Sequence, residues 1–68
     1  MASIAVVIDY TNHRGERKRR RVLPLNFYLG RNKWHKDEQW IMTAHDLDKD
    51  VEREFAMSSI HSWTSDSQ

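Results

Sequence analysis

The apolar residues of this chain recur at every second position. Ile4, Val6, Ile8 and Tyr10 form the first such run, Leu25, Phe27 and Leu29 the second, and Trp40, Met42 and Ala44 the third. Side chains alternate across a strand, so this period predicts short strands with one face in a core. At 68 residues the chain holds one domain at the low end of what folds around a single core. Pairing with a second copy is therefore a reasonable expectation.

Between the runs lie turn signals. Asn12-His13-Arg14-Gly15 predicts a hairpin, with Gly15 able to take the positive φ that closes a short loop. The returning strand starts near Glu16, is wholly basic from Arg17 to Arg21, and turns apolar at Val22-Leu23. Pro24 has no N–H for a ladder, which places it at a bulge or an edge, where it would bend the strand and help close a small barrel. Gly30 ends the run, and residues 31–39 read as an excursion loop carrying Trp34 and His35.

A third strand is expected from Trp40 to about Leu47, with Trp40, Met42 and Ala44 on its core face and Ile41, Thr43 and His45 opposite. The acidic turn Asp48-Lys49-Asp50 then leads to a fourth strand, Val51 to Met57. Arg53 is the misfit there, on one face with Val51, Phe55 and Met57. Ser58 to Trp63 fits a short helical turn capped by serine. Residues 1–63 are expected to form the domain and 64–68 a flexible tail.

Two consecutive hairpins joined by a proline bulge match an all-β, small SH3-like or Sm-like five-stranded barrel with a short C-terminal helical turn. Several stretches also resemble the WYL domain in its usual order. They are Tyr10, Gly15, Arg20-x-Val22-x-Pro24-Leu25, Trp40-Ile41-Met42-x-Ala44 and Arg53-x-Phe55-Ala56-Met57-x-x-Ile60, together covering about residues 4–61. Short WYL-like proteins of bacteria and their phages carry a Tyr-Thr-Asn-His-Arg-Gly hairpin, a Trp-His insertion and an Asp-Leu-Asp-Lys turn, present here at residues 10–15, 34–35 and 46–49. Two departures stand out: the naming triplet is Trp40-Ile41-Met42, and Ser59 replaces an arginine often found before the last isoleucine.

The resemblance implies an Sm-like barrel whose relatives follow a DNA-binding helix-turn-helix in transcriptional regulators, sense nucleic-acid or nucleotide-like ligands, and help dimerise. It also implies a pocket cation at Arg53. A helix-turn-helix has no room beside the barrel in this chain, so an isolated sensor, adaptor or decoy is expected.

Charge adds to this reading. The net +1 hides a strong asymmetry, with residues 1–36 at +7 and residues 37–68 at −6. Arg14, Arg17, Lys18, Arg19, Arg20 and Arg21 make a positive ribbon whose guanidinium groups match phosphate oxygens. Along a strand, Arg17, Arg19 and Arg21 share one face and Lys18 and Arg20 the other. The ribbon either binds a polyanion or keeps an edge strand soluble, and its counter-charge could be the acidic half of the same chain. Arg53 is either a pocket cation or half of a structural ion pair. Tyr10, Trp34 and His35 are candidates to stack on a base, whereas Trp40 is expected in the core.

The preferred expectation is a non-enzymatic module that binds single-stranded nucleic acid or a nucleotide. The alternative is a protein-binding adaptor or inhibitor that docks on an acidic surface. No nucleophile arrangement, phosphate loop or carboxylate pair points to catalysis, and no cofactor is called for. The chain has no cysteine, and His13, His35, His45 and His61 lack metal-ligand spacing, so no metal is expected. The alternating Asp46, Asp48 and Asp50 resemble a calcium loop but lack its glycine and terminal glutamate. No apolar run approaches the roughly 20 residues of a membrane span, and no signal peptide is evident, so a cytoplasmic protein without membrane contact is expected.

Overall fold

A computed structural model describes residues 4–32 and 36–66. The fold is all-β. Five antiparallel strands, β1 (Val6–Thr11), β2 (Arg17–Gly30), β3 (Gln39–Asp46), β4 (Val51–Ala56) and β5 (Ile60–Ser65), form one sheet in the order β4-β3-β2-β1-β5. A 3-10 turn, Met57–Ser59, joins β4 to β5. The sheet curls into a small barrel-like fold: Tyr10 of β1 meets Phe55 of β4 edge to face, with ring centroids 4.9 Å apart.

The first hairpin closes as its sequence predicts. Asn12 Oδ1 accepts the N–H groups of Arg14 and Glu16, both at 2.9 Å, and Gly15 sits at φ +82°. The side-chain bonds satisfy loop amides that would otherwise face only water, and glycine tolerates the left-handed backbone.

β2 is the long member, at 14 residues, and serves two ladders. Its first half pairs with β1 from Arg17↔Thr11 to Val22↔Val6, and its second half pairs with β3 from Val22↔Asp46 to Gly30↔Gln39. The second register shifts between Pro24 and Asn26, which makes Leu25 the bulged residue beside the expected proline.

Cross-strand partners share a face, so the register identifies the barrel interior. Val6, Ile8, Tyr10, Val22, Met42, Ala44 and Phe55 form the core, with Met57 and Ile60 packed against it. Burying a side chain the size of Phe55 contributes about 2–3 kcal/mol. Ile41 and Ala56, opposite one another, are buried outside that cluster.

Four expectations are corrected. The helical turn is not at the C-terminus: it spans Met57–Ser59, and most of the stretch read as helical, Ile60 to Trp63, belongs to β5. Thr64 and Ser65, expected in a flexible tail, complete that strand, and the Asp66 N–H donates to Ala5 O at 2.9 Å. Trp40, expected in the core, is 56% exposed. Leu25, Phe27 and Leu29 are also about half exposed, because alternation assigns a face but not a depth along it. No helix among the described residues is long and apolar enough to cross a membrane.

Candidate anion-binding hairpin and its adjoining cleft

The basic ribbon lies on the first half of β2 and in the turn before it. Three of its six cations are matched by carboxylates. Arg17 grips Asp9 with a two-pronged fork, Nε to Oδ1 at 2.9 Å and Nη2 to Oδ2 at 2.8 Å. The register dictates this pair, because Asp9 stands opposite Arg19 and diagonal to Arg17 on one exposed face. The hydrogen bond from Arg17 holds the Asp9 carboxyl below its usual range. Arg21 reaches Asp66 at 3.3 Å.

Arg20 is different in kind. It stands opposite Ile8 and therefore points into the barrel, where its Nη1 donates to Asp46 Oδ2 at 3.0 Å. Its side chain is 14% exposed and that of Asp46 is 2%. Arg53, opposite Ala44 on the same interior face, donates from Nε to the same oxygen at 3.0 Å. Asp46 Oδ1 accepts the N–H groups of Asp48 and Lys49, each at 3.1 Å, which shapes the β3–β4 turn. Burial alone would raise the Asp46 pKa, but the hydrogen bonds from Lys49, Arg53, Asp48 and Arg20 outweigh it and lower it.

Arg53 is thus part of a structural ion pair. It also lines, with Arg20, an open cleft of about 520 Å³ between the first hairpin and β4. Tyr10, Asn12, His13, Thr43, Glu52, Glu54 and Phe55 complete the walls. Glu52 and Glu54 line the cleft beside the two arginines, and both arginines are already engaged by the buried Asp46, so the cleft is not a strongly cationic pocket. Glu54 is further engaged by the Tyr28 hydroxyl and by Asn32 Nδ2, the latter at 2.8 Å.

Arg14, Lys18 and Arg19 are exposed and form no ion pair among the described residues. The structure therefore divides the sequence-derived site. Arg14, Lys18 and Arg19 remain available to an anion, Arg17 and Arg21 are exposed but partnered, and Arg20 is committed to the interior. Tyr10 does not offer a stacking face, because it is 6% exposed with its edge or face against Phe55. Trp34 and His35 lie outside the described residues.

The feature missed in the sequence is Asp46 as a buried counter-ion. Its signal was present, because extending the core face of β3 from Met42 through Ala44 reaches Asp46. Glu52 and Glu54 at the cleft wall were likewise not anticipated.

Comparison with known proteins adds no family assignment: no protein-family model, curated protein or solved structure matches the chain.

Proposed function

We propose that this barrel is a non-enzymatic, WYL-like regulatory module that binds a polyanion, a single-stranded nucleic acid or a nucleotide, along its first hairpin. One contrast supports the reading. Arg17, Arg20 and Arg21 each form an ion pair with a carboxylate, whereas Arg14, Lys18 and Arg19, on the same hairpin, form none among the described residues, Arg19 feeling Asp9 only through space. Like charges held close on one ribbon repel, and phosphates relieve that repulsion while releasing counterions.

Phosphate contacts on this hairpin come from Arg14, Lys18 and Arg19, with Arg17 and Arg21 at the flanks. Arg20 and Arg53 act as support. They fix β2 and β4 around Asp46 and so hold the hairpin in place over the cleft.

The test is titration of a labelled single-stranded oligonucleotide, DNA and RNA in turn, and of cyclic nucleotides, against the wild type and the double variant Lys18→Glu/Arg19→Glu. A loss of affinity of about tenfold or more is expected, since two reversed phosphate contacts remove over 1 kcal/mol. Equal binding by both proteins, or none by the wild type at low salt, would overturn the reading.

A further inference from the structure

Among the described residues the sheet ends in two edge strands, β4 and β5, and their sequences differ. β4 carries Glu52, Arg53 and Glu54 at its centre. β5 reads Ile60-His61-Ser62-Trp63-Thr64-Ser65, with no Lys, Arg, Asp, Glu or Pro. Charge and proline are the usual means by which an edge strand avoids pairing with another chain, so β4 is protected and β5 is not. One bulge, at the Asp9/Tyr10 register shift, interrupts the β1–β5 ladder near its start and leaves Ser62 to Ser65 regular.

The backbone phase of β5 follows from the Asp66 N–H donating to Ala5 O. Bonded pairs alternate in an antiparallel ladder, so Thr64 and Ser62 turn their peptide groups toward β1, and Trp63 and Ser65 turn theirs to the open side.

An apolar strip begins at that edge. Trp63 lies 6.4 Å from Phe27 between ring centroids, Leu29 follows on the same face of β2, and Trp40 stands opposite Leu29. Their exposures are 42%, 47%, 52% and 56% in that order. All four point to the interior side of the sheet, so the strip continues the core out to solvent.

We propose that β5 is a self-association edge, on which two copies of this chain pair their β5 strands antiparallel about a two-fold axis and cover the Trp63–Phe27–Leu29–Trp40 strip. Several observations favour a second copy as the occupant. An antiparallel strand pair is self-complementary in its backbone bonds, so identical edges fit each other with no further requirement. The side chains along the edge, Ser62, Thr64 and Ser65, are neutral, so two copies meet without like-charge contact. The strip exposes on the order of 400–500 Å² of side chain, which supplies the apolar centre of an interface needing about 800 Å² per partner. His61, Ser62 and Thr64 supply a polar rim. Self-association does not rest on anion binding, because the unpaired hairpin cations Arg14, Lys18 and Arg19 lie in the first turn and the first half of β2, whereas Phe27 and Leu29 lie in its second half.

The test is sedimentation equilibrium of the wild type alongside hydrogen exchange of the Trp63 and Ser65 amides at two concentrations about a hundredfold apart. The expected result is a species of twice the 8.2 kDa chain mass and slower exchange of those two amides at the higher concentration. The variant Ser62→Lys/Thr64→Lys alters only exposed positions on the outer sheet face, and it is expected to raise the dimer dissociation constant at least tenfold with near-UV circular dichroism, compared at dilutions where both proteins are monomeric, unchanged. A monomer up to millimolar concentration with concentration-independent exchange would overturn the proposal. So would a dimer whose dissociation constant the lysines leave unchanged.

Discussion

Arg20 and Arg53 share one oxygen atom: each donates to Asp46 Oδ2 at 3.0 Å, from strands β2 and β4 on either side of β3. The three strands are thereby tied at the end of the core by a single buried carboxylate. Removing that carboxylate leaves two cations facing each other, one of them nearly buried. Asp46→Ala is therefore expected to destabilise the barrel by about 3 kcal/mol or more, as breaking a buried ion pair from one side does. Urea denaturation checks this, and a loss below about 1 kcal/mol would show that the cluster is dispensable.

The same group sets the acid limit of stability. The folded pKa of Asp46 is depressed below the ordinary aspartate value by its four hydrogen bonds. Its contribution is therefore fully present above the unfolded pKa and is lost as pH falls through the folded one. Unfolding midpoints measured downward from pH 6 are expected to hold until about pH 4 and then fall. In Asp46→Asn this acid limb is expected to be shallower, with Asp9, also depressed by its hydrogen bond to Arg17, accounting for part of what remains.

Exposure separates two aromatic residues that look alike in sequence. Phe55 is 2% exposed and packs against Tyr10, whereas Trp40 is 56% exposed. Phe55→Ala is expected to cost about 3–4 kcal/mol through cavity formation. Trp40→Ala, measured at dilutions where the chain is monomeric, is expected to cost about 0.5 kcal/mol or less. Chemical denaturation of the pair reports the difference.

Gly15 is held at φ +82° with nothing within 4 Å of an added Cβ. The penalty for Gly15→Ala is therefore purely conformational, about 1 kcal/mol, and the variant should keep the same hairpin. Amide chemical shifts of residues 11–17 would reveal any change of loop geometry.

Much of the fold was legible because it rests on local rules. Alternation located β1, β3 and β4, Asn12 and Gly15 located the first turn, and Pro24 located the bulge. β5 was not legible, because Ile60 and Trp63 stand three apart among Ser, His and Thr, a spacing that suits a helical turn as well as a strand. Its strand state comes from pairing with β1, a contact between the two ends of the chain that no local pattern encodes. The site divides in the same way. The cations of the hairpin are plain in the sequence, but which are neutralised depends on register: Asp9 diagonal to Arg17, and Asp46 between Arg20 and Arg53.

That division gives the most direct measurement of the central claim. Affinity for a single-stranded oligonucleotide, followed by tryptophan fluorescence over a range of salt concentrations, counts the phosphates neutralised. With Arg14, Lys18 and Arg19 as the contacts, log K is expected to fall with log salt at a slope of about −2, steepening toward −3.5 if Arg17 and Arg21 exchange their carboxylates for phosphates. A slope near zero, or no saturable binding at low salt, would contradict the account of the hairpin as a polyanion-binding element.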